Sequence, residues 1–480
     1  MLEGREISIV LKSRLDKIQD RLDSEFYQKK FIEYGEILNR QGFKTLEEWG
    51  AQLDCSAFYP AITDYYNFDG QGIPFIRVNE IQDGMVQITK STAFLPKSIL
   101  DLNTKTIAKA YPNDIIIAKG GNTLAKVGIV TDEYPEYAVC RDVIILRTHN
   151  IPENVRYYIW AFMHSNYGYE AMVRTASQTG QPHLILPFVT NLEVPFMSEL
   201  FFATIKKLYN KAIELQNSSL RIYEEASKLI NKELNYVYSH VSSSLLSNSR
   251  IQTFSKSLFE NNRIDAEYYQ TEYDDYLKII NGYHNGAEGI GRICDIQEKN
   301  FSPESERIYK YIELSDIGKY GNIEGYTENK GIELPTRARR KVSTNDVIVS
   351  SIEGSLDSCA LITEDYNEAL CSTGFHIVRS SFFYPETLLL LFKSKPIQML
   401  MKKGCSGTIL TAIGRNELEK IPLPLITKDI QEQIAKYVKE GSSLRNKSKQ
   451  LLELVKQTVE IAINENEEEA LKYINEIEKG

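Results

Sequence analysis

The feature that most constrains this 480-residue chain is an internal duplication. Residues 21–34 (RLDSEFYQKKFIEY) and residues 263–276 (RIDAEYYQTEYDDY) are identical at six of 14 positions. The offset between matched segments shrinks along the chain, from 242 to 236 to 232, as it does when loops differ in length between two copies. Because several matches in one order are a poor fit to chance, two similar units are predicted. The further matched pairs are residues 75–81 with 311–317 and residues 113–131 with 345–363.

A fourth match predicts two long helices. After Pro195 and after Pro424, apolar or small residues recur in alternating steps of three and four, the spacing of a heptad seam. Every position of one seam lies 229 residues from its counterpart, so the two helices are predicted to pair antiparallel about a pseudo-twofold axis. The alternative is that each helix is a core helix of its own unit. The seam residues are Ile205, Leu208, Leu215, Ile222 and Leu229, and Ile434, Leu444, Leu451 and Val455, with Ala212, Ser219, Gly441 and Ser448 as matched small positions.

Short β-branched runs opened by turn residues predict strands in each copy, and apolar stretches between them predict helices. The predicted fold class is therefore α+β, with two similar units, each a twisted sheet plus helices, separated by two long antiparallel coiled-coil helices. The predicted strands are 75–81, 113–118, 142–147 and 192–196, and 309–317, 345–350, 375–380 and 421–425; the predicted helical stretches are 154–174 and 385–404.

The predicted organisation along the chain has four segments. They are a first globular unit at 1–196 with a short leading segment at 1–19, a first long helix and linker at 197–250, a second globular unit at 251–425, and a second long helix at 426–480.

Composition and missing motifs limit the possible functions. The net charge of −9 argues against a coat that binds nucleic acid without regard to sequence, although a local basic face is compatible with it. Six cysteines without a C-x-x-C pair, together with the lack of a signal peptide or a long apolar run, favour the cytoplasm. No phosphate-binding loop, H-E-x-x-H pair, G-x-S-x-G elbow or Asn-Pro-Pro-Tyr run is present, so neither a catalytic nor a metal site is predicted. The faint nuclease-like pattern of Glu417, Glu419 and Lys420 is interpreted as a helix end entering a strand.

Taken together, the duplicated R-[LI]-D-x-E-[FY]-Y segments, YIELSDI at 311–317, NDVIVSSIEGSLDSCALI at 345–362 and the stretch 407–435 resemble the specificity (S) subunit of type I restriction–modification systems. The resemblance covers nearly the whole chain and is weaker in the first copy, where residues 178–205 lack the Gln-Glu-Gln helix start of 431–433.

The resemblance implies a non-catalytic protein that reads DNA. In that family each globular unit is a target-recognition domain for one half of a split sequence, and the paired helices act as a spacer. The implied partners are double-stranded DNA, two modification (methyltransferase) subunits and the ATP-dependent restriction subunits, with no membrane. No cofactor is expected in this chain, whereas S-adenosylmethionine, ATP and Mg²⁺ are expected on the partner subunits.

Candidate DNA-binding residues fall into two classes, because bases are read by polar side chains while cations contact phosphates. Candidate readers lie in loops whose side chains differ between the two copies although the flanking strands are similar in sequence. Two domains that read different half-sites require such a difference. The candidate phosphate contacts are Arg337, Arg339, Arg340, Lys341, Lys402 and Lys403. Arg174 and Arg415 are further candidates, in addition to the readers in the loops. The candidate readers are Lys119, Asn122, Thr123, Lys126, Gln178, Thr179, Gln181 and His183 in the first copy, and Ser351, Glu353, Ser355, Asp357, Ser406, Thr408 and Thr411 in the second.

Two other functions stay open on the sequence. One is a detached recognition subunit of a fused, type II-like restriction–methylation enzyme, and the other is a duplicated protein-interaction scaffold without DNA binding. Steep weakening of binding with salt separates a DNA reader from a scaffold.

Overall fold

In the computed structural model of this chain the residues described are 9–12, 15, 21–59, 61–89, 91–176, 182–235, 253, 257, 263–407 and 411–479. The chain groups into two compact units. Unit 1 is Met1–Glu214 together with Lys447–Gly480, and unit 2 is Leu215–Asn446. Each unit is an α+β structure, as predicted, and each contains part of both long helices.

Unit 1 consists of short strands in three sheets with helices packed on them. The sheets have the strand orders β1-β12, β6-β3-β10-β7 and β2-β11-β8-β9-β5-β4. Its elements are α1 (Lys29–Gln41), β1 (Phe43–Thr45), β2 (Gln52–Asp54), β3 (Ile73–Ile76), β4 (Ile81–Gln82), β5 (Met85–Val86), β6 (Phe94–Leu95), α2 (Lys97–Leu102), β7 (Lys109–Ala110), β8 (Ile115–Ala118), β9 (Val127–Ile129), β10 (Tyr137–Val139), β11 (Val143–Arg147), α3 (Glu153–His164), α4 (Asn166–Thr175), α5 (Leu186–Thr190), β12 (Glu193–Pro195) and the first part of α6 (Glu199–Glu233).

Unit 2 continues from α6 and repeats the pattern. Its sheets have the orders β13-β24, β14-β21-β18-β19, β16-β15-β20-β17 and β22-β23. Its elements are α7 (Glu272–Asn281), β13 (Ala287–Gly289), α8 (Ile290–Ile293), β14 (Cys294–Gln297), β15 (Ile308–Ile312), β16 (Thr327–Lys330), β17 (Ala338–Lys341), β18 (Val347–Ser350), β19 (Cys359–Leu361), β20 (Leu370–Ser372), β21 (Phe375–Ser380), α9 (Pro385–Lys393), α10 (Lys395–Gly404), β22 (Cys405–Ser406), β23 (Ala412–Ile413), α11 (Arg415–Lys420), β24 (Pro422–Pro424) and the first part of α12 (Lys428–Asn464).

The two units have the same sheet topology at their centres. In unit 1, β10 runs parallel to β3 and antiparallel to β7; in unit 2, β20 runs parallel to β15 and antiparallel to β17. The order β2-β11-β8-β9 likewise matches β14-β21-β18-β19. Two unrelated units would rarely share a strand order that includes a parallel pair, because parallel strands need a long crossover connection. The duplication predicted from sequence is therefore a duplication of fold.

Most predicted strands are confirmed, and two predictions need correction. The run 75–81 is a strand as far as Ile76 and again at Ile81, and the run 309–317 is a strand only as far as Ile312. After Ile76 and Ile312 the chain enters a 3₁₀ turn, because a carboxylate three residues on accepts the backbone N–H that opens the turn: Glu80 for Arg77, and Asp316 for Glu313.

The stretches predicted as helical are each divided into two helices at a serine. Ser165 and Ser394 are in extended conformations, and each hydroxyl donates to the carbonyl three residues earlier. A serine hydroxyl that bonds the backbone in this way competes with helical hydrogen bonding, which explains the break. The segment predicted as one helix over 426–480 is divided too: α12 ends at Asn464, and α13 (Glu467–Lys479) begins where Asn466 accepts the N–H of Glu469.

The two long helices pair antiparallel through the small seam residues. In unit 1 the Ser448 hydroxyl donates to the carbonyl of Ala212 at 2.7 Å; in unit 2 the Ser219 hydroxyl donates to the carbonyl of Gly441 at 2.7 Å. Small side chains let the backbones approach closely enough for these bonds. Of the apolar seam residues, the buried ones are Ile205, Leu208, Ile434 and Val455, and the half-buried ones are Leu215, Ile222, Leu229, Leu444 and Leu451.

Each unit has an apolar core that includes its share of the long helices. In unit 1 the core contains Phe201, Ile205 and Val459 beside the residues of α3, and α13 adds Ala470 and Ile474. In unit 2 it contains Ala226, Ile230 and Ile434 beside the residues of α9 and α10. The two predicted arrangements of the long helices therefore occur together. Each helix pairs with the other, and each also contributes apolar side chains to the core of a unit.

One backbone device repeats in both units and can be tested by substitution. Asn113 and Asn345 have φ values of 73° and 70°, and the following aspartates accept the N–H groups of Tyr111 and Ser343. An alanine at positive φ loses about 1 kcal/mol or more, whereas glycine adopts this conformation freely. We expect Asn345→Ala to lower the free energy of unfolding in urea by about 1 kcal/mol and Asn345→Gly to lower it by less. Asn446→Ala, at an exposed helical site, is the matched control and is expected not to destabilise the chain.

Candidate nucleic-acid interface

In unit 1 the first candidate reading loop is bonded to the chain that returns from the second loop. The first loop leaves β8 and makes a 3₁₀ turn at Gly121–Thr123. The chain that returns after the second loop bonds to it, since Leu184 N–H donates to the carbonyl of Lys119 at 2.8 Å and Gly120 pairs with His183. Lys119, Asn122, Thr123, Lys126 and His183 thus lie together. Gln178, Thr179 and Gln181 lie outside the described residues.

Unit 2 has the equivalent arrangement. A 3₁₀ turn at Glu353–Ser355 follows β18, and the returning chain bonds to it. Ile413 N–H donates to the carbonyl of Ser351 at 2.8 Å, and Glu353 N–H donates to the carbonyl of Thr411 at 3.0 Å. We call the meeting of these two loops in either unit the loop edge. Thr408 lies outside the described residues.

Several candidate readers at the loop edges are occupied with local bonds. Ser351 is buried and donates to the carbonyl of Gly374 at 2.9 Å, while Ser355 shares a bond with Ser350 at 3.0 Å. Thr123 donates to the carbonyl of Gly120, and Thr411 donates to Glu353. These hydroxyls shape the loops. The exposed candidates are Asn122, Lys126 and His183 in unit 1 and Asp357, Lys402 and Ser406 in unit 2.

The basic cluster at 337–341 lies on and beside β17, and carboxylates already pair two of its cations. Arg337 contacts Glu313 at 2.8 Å, which raises the guanidinium pKa, and Lys341 contacts Glu368 at 2.6 Å. Arg339 donates to the carbonyl of Thr336, and two buried guanidinium nitrogens of Arg340 have no hydrogen-bond partner. A phosphate would therefore compete with Glu313 and Glu368 for this cluster.

Arg337 is nevertheless linked to the unit 2 loop edge through the backbone. Its carbonyl accepts the N–H of Thr373 at 2.9 Å, and the carbonyl of Gly374 accepts the N–H of Ser351 at 2.8 Å. Lys341 lies at the other end of β17. Of the four basic residues, Arg337 is therefore the one joined to a reading loop by this chain of backbone hydrogen bonds.

A cavity of about 340 Å³ adjoins the unit 2 loop edge. Lys402 and Lys403 line it from the end of α10, and Glu353 and Thr411 line it from the loops. Lys403 also lies 5.0 Å from the centre of the Tyr268 ring. Arg415, at the start of α11, contacts Glu419 at 2.7 Å. Lys402 is thus the exposed cation at this cavity without a carboxylate partner among the contacts described.

In unit 1, Arg174 has a structural environment that sequence reasoning missed. Its guanidinium lies 4.1 Å from the centre of the Phe26 ring, and its Nε donates to the Phe26 carbonyl at 2.9 Å. The segment that contains Phe26 was recognised from sequence only as a mark of duplication. The segment contacts the end of α4 within unit 1, and its copy at 263–269 contacts the end of α10 within unit 2. The identity of Arg, Asp and Tyr between the two copies was the available signal.

The described part of the chain shows neither a metal-binding cluster nor a helix that could cross a membrane. Among these residues no three His, Cys, Asp or Glu side chains cluster in a way that could hold a metal ion. Within the same ranges, no helix combines the length and the apolar character needed to cross a bilayer. All six cysteines are free thiols.

Comparison with known proteins finds similarity to solved structures. A type-I restriction-modification system S subunit from M. genitalium is 12% identical, with 88% of this chain and 94% of that chain covered and a TM-score of 0.37. The HsdS subunit from Thermoanaerobacter tengcongensis is 12% identical over 87% of this chain and 97% of that one, with a TM-score of 0.25. The type IIG restriction endonuclease BpuSI is 12% identical over 38% and 28%, with a TM-score of 0.29. No family model and no curated protein matches. The solved structures to which this chain is similar thus include specificity subunits of type I restriction–modification systems, the family that its sequence resembles.

Proposed function

We propose that this chain is a sequence-specific DNA-recognition subunit of a type I restriction–modification complex and catalyses no reaction itself. Unit 1 and unit 2 each read one half of a bipartite target through their loop edges. The paired helices keep the two readers apart and dock two modification subunits. Restriction subunits complete the complex. S-adenosylmethionine, ATP and Mg²⁺ bind to the partner subunits and not to this chain.

One observation carries the proposal. Two units with the same sheet topology each bring together the two loops whose sequences differ between the copies. Two domains that read different half-sites need the same scaffold with different exposed loop residues. The reason is that a protein distinguishes base pairs by the hydrogen-bond donors and acceptors that it places against their edges. Exposed Lys126 and Lys402 supply cations beside these loops for phosphate contacts.

The test is selection of bound duplexes by the full-length chain from a library with a random central region. We expect a motif of two specified halves separated by an unspecified gap. We also expect affinity to fall steeply with salt, with a slope of about −0.9 for each phosphate contacted. A library without an enriched motif, and binding that salt leaves unchanged, would support a protein-interaction scaffold instead.

Single lysine variants sharpen that test. Lys402→Gln is expected to reduce the salt slope by about one and to weaken binding to all sequences alike, because a phosphate contact carries no base information. Lys207→Gln, at an exposed site on α6 away from the loop edges, is the control and is expected to leave the slope unchanged. Equal salt slopes for the two variants would show that Lys402 does not contact a phosphate.

A further inference from the structure

The duplicated segment at 263–269 folds into a compact device in unit 2. The Arg263 guanidinium donates to both carboxylate oxygens of Asp265, at 2.6 and 2.7 Å. The Asp265 carboxylate also accepts the N–H of Tyr268, and the Tyr269 hydroxyl donates back to the Arg263 carbonyl at 2.9 Å. Arg263 thereby closes a small loop of its own. The Arg263 side chain is 16% exposed.

The same guanidinium reaches across to the end of α10. Its Nη2 donates to the carbonyl of Cys405 at 2.9 Å, 142 residues away in sequence. Two cations lie near the centre of the Tyr268 ring, Arg263 at 4.8 Å and Lys403 at 5.0 Å. Carbonyls at the end of a helix have no intrahelical donor, so an arginine there fixes the point at which the chain leaves the helix.

Unit 1 repeats each part of this device. Arg21 donates to both oxygens of Asp23, and its Nη1 donates to the carbonyl of Ala176 at 3.2 Å, just after α4. Tyr27 donates back to the Arg21 carbonyl at 2.8 Å. Two cations also lie near the centre of the Phe26 ring, Arg21 at 5.1 Å and Arg174 at 4.1 Å. We call each set, Arg21 with Asp23 and Arg263 with Asp265, the clasp of its unit.

The clasp bonds lie where the second reading loop departs. Ala176 is the last described residue before the loop of unit 1, and Cys405 opens β22, which pairs with β23 on the returning side of the loop in unit 2. The aspartates are held ionised at neutral pH, since the hydrogen bonds from Arg21 and Arg263 lower the pKa of Asp23 and of Asp265.

We propose that each clasp is the positioning element of its own loop edge, so that Arg21 sets half-site reading in unit 1 and Arg263 sets half-site reading in unit 2. The inference rests on the proposed function and adds that specificity for the two halves is separable at residues that need not touch DNA. Reading demands placement of side chains to within a fraction of an ångström, and the departure point of a loop governs where its side chains lie.

The experiment repeats the duplex selection with Arg263→Gln and Arg21→Gln in the full-length chain. Each variant is expected to keep one half of the wild-type motif and to lose the other, with opposite halves lost by the two variants. Discrimination against a mismatch in the affected half is expected to fall at least ~10-fold, since one base pair is worth roughly 1–3 kcal/mol. Arg263→Lys, which keeps the charge but not the forked geometry, is expected to retain part of the discrimination.

Controls separate positioning from stability and from the proposed function. Arg292→Gln breaks an exposed ion pair with Glu288 in the same unit and is expected to keep both halves of the motif. Loss of both halves in Arg263→Gln, or a motif unchanged in both clasp variants, overturns the clasp inference while the wild-type motif stands. A wild-type chain that selects no motif overturns the proposed function itself. Asp265→Asn, which leaves Arg263 in place, is expected to weaken the same half as Arg263→Gln, and an effect on the other half contradicts the inference.

Discussion

Removal of one heptad from each long helix is expected to shorten the gap between the two half-sites by about three base pairs. Seven helical residues span about 10 Å, and three base pairs of duplex span the same length. Deleting residues 213–219 from α6 and 441–447 from α12 takes out the Ser219–Gly441 contact and leaves the Ser448–Ala212 contact. The seam spacing of three and four also survives on both sides of each deletion.

The measurement is the duplex selection, followed by affinity for targets of each gap length. Affinity for the original target is expected to fall at least ~100-fold, because only one half is then reached and specific contacts contribute several kcal/mol. Glu214→Ala combined with Asn217→Ala alters exposed residues of the same stretch at constant length and is expected to keep the original gap. A deletion variant that selects the original gap would refute the spacer role of the helices.

The doubled fold was predictable because its signals are local or repeated. Heptad spacing and β-branched runs depend on residues a few positions apart, so the seam around Ser219 and Ser448 and the strands at 113–118 and 345–350 are confirmed. The turns that end two predicted strands were missed because they depend on single side-chain to backbone bonds, from Glu80 and Asp316. The pattern of apolar residues carries no information about such hydrogen bonds.

The candidate site was less predictable because its chemistry joins distant segments. The four basic residues at 337–341 form one cluster in sequence, yet Glu313 and Glu368 neutralise two of them from other parts of unit 2. The clasps were hidden for the same reason, since each guanidinium meets a carbonyl more than 140 residues away. Differences in sequence between the two copies pointed to the candidate loops. That the loops of one unit adjoin each other follows only from the backbone hydrogen bonds of the folded chain.

Unit 1 is expected to lose stability as the pH falls from 6.5 towards 4, because its fold keeps the half-buried imidazole of His164 neutral. His164 ends α3 beside Trp160 and Gly84, and its Nε2 is buried without a hydrogen-bond partner. Burial, followed by the charge of Lys456, lowers the pKa of His164 to about 4. In the unfolded chain the imidazole has its ordinary pKa of about 6.5, so between these values the unfolded state binds the extra proton. The stability from this residue is full above pH 6.5, decreases as the pH falls from 6.5 to 4, and changes no further below pH 4.

The size of that effect is about 3 kcal/mol, the free-energy equivalent of a pKa difference of about 2.5. Trp49 and Trp160 are the two tryptophans of the chain and both lie in unit 1, so tryptophan fluorescence during urea unfolding follows this unit. The wild type is expected to lose about 2 kcal/mol more than His164→Gln between pH 7 and pH 4.5, because most of the titration window lies in that range and glutamine does not titrate. His183→Gln, at an exposed histidine of the same unit, is expected to follow the wild type. Parallel pH profiles for the wild type and His164→Gln would mean that His164 takes up its proton in the folded chain as readily as in the unfolded one.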